Sequence, residues 1–549
     1  MRLDVLYVDG DITTGDPGRP RARRLGVWRG RVVGLDDDLA GCTADTVVDL
    51  RGAPVVPGFH DAHQHLSMRG QRLRQVDLTA PGVATLDELY ARVAERAASL
   101  EPGAWVLGHG YDQNKIGGHP TREALDRAAA GRPVWLSHNS GHMGVLNTEG
   151  FRRAGFADLD AVPDVPGGHV ERDGQRRPVG LLAEQAQHLA HAVLRPEPFE
   201  DWVRGIGLAS DVALSEGITS VTEPGICAGL AGNSPADLAA YLTARERGVL
   251  RVRATLMPAV DALHEIGDVE PGHPWFGVDL GVRTGLGDEW VRVGAVKVFS
   301  DGSLIGRTAA MREPYADRPD TSGFLQHEAE WLHERIVAAH AHGWQVATHA
   351  IGDAALDVVL DAYEDAQRRF PRPDPRHRVE HAGVVGDDQV ARLAALGVVP
   401  VPQGHFVGEI GDGMLQALGP ERARLCYRQR SWLDAGVVLP GSSDCPVVQG
   451  APLLGIHDLV NRRTGSGQPF TPAEALTVEE ALRAYTYGSA YADHQEHDKG
   501  RLARGLLADL VVLGDDPARV DPAGIGSIEV VATVVGGVPV FGADDLHVA

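Results

Sequence analysis

The sequence predicts an α/β protein: a (β/α)8 TIM barrel, with a small composite β-sandwich from both termini and an α/β subdomain inserted after barrel strand 1. Three observations predict it. Eight short apolar runs alternate with helical stretches, which is the pattern of a parallel barrel. The two chain ends carry similar short alternating segments, and roughly residues 67–200 break the alternation. At 549 residues the chain is too long for one ordinary core, so several domains are expected. We place them at 1–57 with 500–549 (sandwich), 58–66 with 201–499 (barrel) and 67–200 (insert over the barrel mouth).

The terminal segments come first. Asp4–Val8, Arg24–Trp28, Arg31–Leu35 and Thr46–Leu50 alternate and are separated by turns, and Ala508–Leu513 and Val530–Phe541 repeat that texture. Barrel strands are expected at Val55–Val56, Ile218–Thr222, Val252–Met257, Val291–Phe299, Gln345–His349, His377–His381, Gly397–Val401 and Gly436–Pro440. Helices lie between most of them, including Glu328–His342 and Ala354–Phe370. Thr477-Val-Glu-Glu480 has the form of a capping box opening a further helix.

Composition narrows the function. The formal charge is −23 and no Lys/Arg-rich run stands out, which argues against nucleic acid or an anionic membrane as partner. The first ten residues alternate and carry acids, as a strand does and a signal peptide does not. There is no run of about 18 apolar residues to span a bilayer. Cys42, Cys227, Cys426 and Cys445 are scattered and form neither a disulfide framework nor a CxxC pattern, consistent with a reducing, cytoplasmic setting.

The chemistry gathers at the predicted strand ends. His63 and His65 sit at alternate positions after Pro57-Gly58, so in an extended chain both imidazoles point the same way and can meet one metal ion. Lys297 lies in the fourth strand, His349 ends the fifth, His381 ends the sixth, and Asp444 follows the eighth. All fall on the carboxyl rim, where barrels place their active sites. Five strand ends agreeing points to a metal site.

Lys297 is one of only three lysines, with Lys115 and Lys499, against 49 arginines. A lysine where the chain otherwise uses arginine calls for amine chemistry. Burial and nearby metal charge would depress its pKa and leave a neutral amine. That amine can add carbon dioxide, giving a carbamate whose two oxygens bridge two metals. The alternative is a salt bridge to a rim carboxylate such as Asp301.

These residues resemble the amidohydrolase superfamily, and within it the amidohydrolase-3 branch that includes N-substituted formamide deformylases. The resemblance covers nearly the whole chain. It rests on Pro57-Gly-Phe-His-Asp-Ala-His-Gln-His65, Leu136-Ser-His-Asn-Ser-Gly-His142 with Asn147, Gly180-Leu-Leu-Ala-Glu184, Lys297-Val-Phe-Ser-Asp-Gly-Ser-Leu with Arg307-Thr-Ala, Thr348-His-Ala-Ile-Gly-Asp353, Val379-Glu-His381, Gly441-Ser-Ser-Asp444 and Lys499-Gly-Arg-Leu. It implies a binuclear site, with His63, His65 and Asp444 on one metal, His349 and His381 on the other, and carboxylated Lys297 bridging both. His60 stands where the branch usually has an aliphatic residue, Ile305 replaces a usual glycine, and Cys445 follows the aspartate. His60 and Cys445 can themselves bind zinc.

The expected activity is hydrolysis of an amide-type C–N bond. Two divalent ions, taken as Zn2+, would share a water and lower its pKa towards ~7, giving a hydroxide that attacks the carbonyl. Asp444 would serve as general base and then general acid. Substrate contacts are expected from Tyr111, Asp112, His142, Asn147, Glu184 and Arg307. The alternatives are a hydrolase of esters, lactones or phosphotriesters on the same site, and an inactive scaffold. The resemblance further implies a homodimer acting on a small molecule.

Overall fold

A computed structural model of the chain describes residues 1–548 apart from 81, 140, 142, 167 and 230, and the side chain of Glu184 is not described. The chain divides into two compact units, Met1–Leu66 with Ala209–Ala549, and Ser67–Leu208.

In the first unit, strands from both chain ends interleave in two sheets. One runs in the order His547–Val548, Thr43–Asp49, Arg2–Val8, Leu25–Trp28, Arg31–Leu35. The other runs Val538–Phe541, Val530–Val535, Leu510–Leu513, Pro54–Pro57, Asp11–Thr13, Arg21–Ala22. Leu510–Leu513 lies antiparallel to Pro54–Pro57, pairing Val511 with Val56 and Val512 with Val55. Because side chains alternate, this ladder has two buried faces. Val55 and Val512 join Tyr7, Leu25 and Val534 in one apolar core, while Val56 and Val511 join the core of the α/β portion.

That pairing corrects one expectation. Val55–Val56 does not close the first parallel strand; it belongs to the terminal sheet, and the parallel strand is Phe59–Asp61. Two apolar residues announce a buried strand, but the partner that claims them lies more than 450 residues away. Gly58 separates the two strands at a point where a Cβ would sit 2.3 Å from Thr219 Oγ1.

The α/β portion contains two four-stranded, wholly parallel sheets. The first has the order Val291–Val293, Arg253–Pro258, Ile218–Ile226, Phe59–Asp61. The second runs Val296–Phe299, Val346–Ala350, Arg378–His381, Val399–Val401. Ile218–Ile226 and Arg253–Pro258 are buried at every position, as expected of parallel strands covered on both faces. Helices between the strands include Asp237–Glu246, Ala329–Ala341, Asp353–Arg369 and Asp387–Leu396.

Two further expectations change. The single run Val291–Phe299 is broken at Gly294-Ala295 into strands that join different sheets, because Gly294 N–H donates to Leu256 O at 2.7 Å and turns the chain. Gly436–Pro440 forms no ladder. In its place Ser442 bridges Gln403 in parallel, Ala62 N–H donates to Gly441 O (3.0 Å), and Asp444 N–H donates to His63 O (2.7 Å). A parallel bridge also joins Ala259 to Lys297. No closed eight-stranded ladder forms among the described residues. The capping box at Thr477 does form, with Thr477 Oγ1 accepting from Glu480 N–H and the Glu480 carboxylate accepting from Thr477 N–H at 2.8 Å.

The second unit is built on a six-stranded mixed sheet, in the order Gly168–Arg172, Pro178–Glu184, Met143–Leu146, Val134–His138, Val106–Tyr111, Val76–Asp77. Its helices Leu86–Ser99, Arg122–Ala128 and Thr148–Arg153 are capped by Thr85, Thr121 and Asn147, whose side chains accept the orphan N–H groups of the first turn. Among the described residues no helix is long and apolar enough to cross a membrane.

Candidate metal centre

The six residues expected as ligands lie in the first unit: His381 ends Arg378–His381, His349 lies one residue from the end of Val346–Ala350, Lys297 lies within Val296–Phe299, and His63, His65 and Asp444 lie on the segments that follow Phe59–Asp61 and Gly436–Pro440. His63 and His65 follow Phe59–Asp61 and turn their Nε2 atoms to one oxygen, Asp444 Oδ1, at 3.3 and 3.4 Å. A ligand atom from each of His63, His65 and Asp444 lies within 4.8 Å of those of the other two. The His63 and His381 rings are 5.1 Å apart, and His381 and His349 4.5 Å.

His381 and Asp444 both have left-handed backbone, with φ of 71° and 61°. For residues other than glycine this is a strained conformation, of the kind concentrated at functional sites. The geometric consequence at His381 is specific. In a regular strand, neighbours point to opposite faces. Here the left-handed turn brings His381 to within ring contact of His63, while its predecessor Glu380 bonds the same imidazole at Nδ1.

Asp61 braces the segments that carry His63 and Asp444. Its Oδ1 accepts the backbone N–H groups of His63 and Ser443, each at 3.1 Å. Oδ2 accepts the Ser443 hydroxyl at 2.5 Å and the Gln64 amide at 3.0 Å. Burial pushes the Asp61 carboxyl up to about 7 against these hydrogen bonds. His381 Nδ1 pairs with Gln403 Oε1 at 2.8 Å, and His349 Nε2 lies 3.1 Å from Gly302 O and 3.3 Å from Asp301.

The electrostatics follow from burial. Lys297 is 1% exposed, and its Nζ forms no hydrogen bond or ion pair with any described residue; it sits 4.8 Å from the Phe299 ring centroid. Burial lowers its pKa to about 8, although the Glu380 and Asp444 charges favour the ammonium. The expected alternative partner, Asp301, is engaged elsewhere, accepting the N–H groups of Ala310, Ile351 and Gly352 at 2.8–3.0 Å. Burial would raise the Asp444 carboxyl, but His63 and His65 hold it well below the usual range. Burial, with His349 alongside, holds His381 neutral.

These residues fit a divalent ion. His63 Nε2, which faces Asp444, is buried with no hydrogen-bond partner among the described residues, a state that costs on the order of 1–3 kcal/mol unless something fills it. Two imidazoles and a carboxylate make a donor set suited to zinc. His60 turns away, with Nε2 on Thr222 Oγ1 at 3.1 Å and near Asp493 at 3.4 Å.

The expected substrate contacts have varied duties. Arg307 is tied by its guanidinium to Asp317 and to Ile305 O. In the second unit, Tyr111 is fully buried with its hydroxyl on His119 Nδ1 (3.2 Å), and Asp112 caps Gln113–Ile116. Asn147 is spent on backbone: Oδ1 accepts from Val134 and Gly150 N–H, and Nδ2 donates to Arg132 O. His142 and the Glu184 side chain lie outside the described residues.

Sequence reasoning missed Asp61, Arg378, Gln403 and Glu380, which bonds His63. The signal was available in part. An Arg and a Glu two apart in an otherwise apolar strand share a face and must pair if buried; Arg378 and Glu380 are both 0% exposed and do so.

The amidohydrolase family matches residues 46–541. YtcJ of Bacillus subtilis (strain 168) is 31% identical over 98% of this chain and 96% of its own. The N-substituted formamide deformylase of Arthrobacter pascens is 31% identical over 97% of this chain and 98% of its own. The crystal structure of an uncharacterized metal-dependent hydrolase from Pyrococcus horikoshii OT3 superposes with a TM-score of 0.76 at 30% identity, covering 94% of this chain and 99% of that one. The chain belongs to the amidohydrolase family.

Proposed function

We propose that the protein is a metal-dependent hydrolase that cleaves an amide-type C–N bond in a small molecule. The observation that carries this is the convergence of the Nε2 atoms of His63 and His65 on one carboxylate oxygen, Asp444 Oδ1, with a ligand atom of each residue within 4.8 Å of those of the other two. The likeness to a formamide deformylase supports the amide class. We read the two parallel sheets as one (β/α)8 barrel; the bridges Ala259–Lys297 and Gln403–Ser442 and the bonds from Ala62 and Asp444 support closure.

In this reading His63, His65 and Asp444 hold one divalent ion and His349 and His381 a second, with zinc the first choice for both. When bound, such ions acidify a water towards neutrality and polarise a carbonyl. Lys297 is buried, has no hydrogen-bond or ion-pair partner among the described residues, and has its pKa lowered by burial to about 8, which makes the neutral amine accessible near neutral pH. Its neutral form can add carbon dioxide at Nζ: an N–C bond forms as one C=O π bond opens, one amine proton is released to water, and the two oxygens of the resulting carbamate share one negative charge. Asp444, held anionic by His63 and His65, takes a proton from the attacking water and returns it to the departing nitrogen.

The test is metal content by elemental analysis, with intact-protein mass spectrometry for Lys297, on wild type and Lys297→Ala supplied with zinc and bicarbonate. We expect about two ions per wild-type chain, as binuclear hydrolases carry, and fewer in the variant. Folded wild-type protein that takes up none would refute the reading. A panel of formamides, other amides, cyclic ureas, esters and lactones then decides the bond class, and turnover confined to esters or lactones would replace the amide assignment.

A further inference from the structure

One buried carboxylate beside the centre is not a ligand in this reading. Glu380 accepts from His63 Nδ1, across 317 residues of chain. Arg378 grips the same carboxylate as a fork, Nε to Oε1 at 2.8 Å and Nη2 to Oε2 at 3.1 Å. The guanidinium is itself anchored by Asp493 Oδ1 and Ala62 O, both at 2.6 Å, and Asp493 Oδ2 accepts the Thr222 hydroxyl at 2.5 Å. Every charged member of this chain of bonds is buried. Glu380 has little freedom to rotate, and its oxygens are occupied by Arg378 and His63.

We propose that Glu380 is a positioning residue for His63. An imidazole that donates from Nδ1 carries its lone pair on Nε2, and a carboxylate in that role fixes both tautomer and ring angle while making the ring a better donor. His63 Nε2 is the buried atom facing Asp444 at 3.3 Å. The Arg378 fork holds Glu380 in place, and through Ala62 O it ties the strand that carries Glu380 to the segment that carries His63. The inference rests on the metal-site reading of the preceding section.

The test uses Zn2+ alone, titrated against a chromophoric chelator into metal-free wild type and Glu380→Gln, each with its own unfolding curve. Removing such a partner lowers metal affinity 10- to 100-fold in other sites, on the order of 1–3 kcal/mol. We expect that loss in the variant at a metal-free unfolding midpoint that changes much less. Equal Zn2+ affinity in the two proteins overturns the role of Glu380 alone; a wild type that binds no Zn2+ overturns the metal-site reading and this inference with it. A second measurement does not depend on the variant folding. In metal-free wild type labelled with 15N-histidine, His63, assigned by its loss in His63→Asn, should carry a proton on Nδ1, and a ring protonated on Nε2 alone would overturn the proposal.

Discussion

Asp61 and Ser443 lie 382 residues apart in the chain and are joined twice, through the Ser443 backbone N–H at 3.1 Å and its hydroxyl at 2.5 Å. The same carboxylate accepts the N–H of His63, so one side chain ties together the segments that carry His63 and Asp444. Asp61→Asn keeps the size but replaces an acceptor with a donor facing the Ser443 hydroxyl and the Gln64 amide. We expect Zn2+ affinity to fall roughly tenfold, the effect usual for groups that support a ligand. Chelator competition measures it, and unchanged affinity would show that the brace does not matter.

Asp444→Asn separates binding from proton transfer. The amide oxygen can still approach a cation, and asparagine tolerates the φ of 61° at this position, so the loop should keep its shape. It cannot accept a proton. We expect metal content close to wild type with kcat lower by about 10²–10⁴-fold. Near-normal turnover would remove Asp444 from the proton-transfer role.

Alkaline pH should loosen the contact between helices Phe406–Ala423 and Pro452–Asn461. His405 Nδ1 pairs with Asp458 at 2.8 Å and its Nε2 lies 3.5 Å from Glu409; the other Asp458 oxygen accepts from His457. Burial opposes the charge on His405, but the bonds to Asp458 and Glu409 outweigh it and lift the imidazole to about 9. A group raised in the folded state contributes fully below its unfolded pKa of ~6.5 and loses that contribution as pH climbs to its folded value. Chemical denaturation at pH ~6.5 and ~9 should show a loss on the order of 2–3 kcal/mol that is missing from His405→Gln. The same pH slope in both proteins would exclude the pair as its source.

Acid should act through a different histidine pair. His340 Nδ1 and His377 Nε2 are 2.8 Å apart; His377 Nδ1 accepts from Val346 N–H, and His340 Nε2 donates to Phe370 O. That chain of bonds requires both rings neutral. Burial holds His377 well below the ordinary histidine range, with His340, Arg372 and His494 adding positive charge nearby, and burial lowers His340 as well. The unfolded chain protonates below ~6.5 while the folded one resists, so stability is lost as pH falls from ~6.5 towards the folded values. His377→Gln should unfold more readily than wild type at pH ~7.5 but lose less on acidification to pH ~5, as read from denaturant midpoints. An unchanged acid slope would remove this pair from the account.

The candidate site was legible where its residues announce themselves locally. His63, His65, Lys297, His349, His381 and Asp444 each follow or lie within a short apolar run, and the alternation of runs and helices puts such positions on one rim. The groups behind them were not legible, because Glu380 supports His63 from a strand 317 residues away and Asp61 supports Ser443 from one 382 residues away. Asn147 looks polar and loop-borne in the sequence, but its whole amide is consumed by backbone groups that only the folded second unit brings within reach.

What the sequence determined by itself is the inventory and its order: a parallel α/β arrangement flanked by β segments at both ends, and a histidine-rich donor set spaced one element at a time. These follow from hydrophobic period and local stereochemistry, which act over a few residues. Tertiary structure alone decided that Val55 and Val56 pair with the C-terminal segment, that the run at Val291–Phe299 breaks into two sheets, and that Glu380 and His381 both face His63. Each depends on which distant backbone supplies a partner for a buried polar group or an apolar face, and on a left-handed turn at His381 that no apolar pattern encodes.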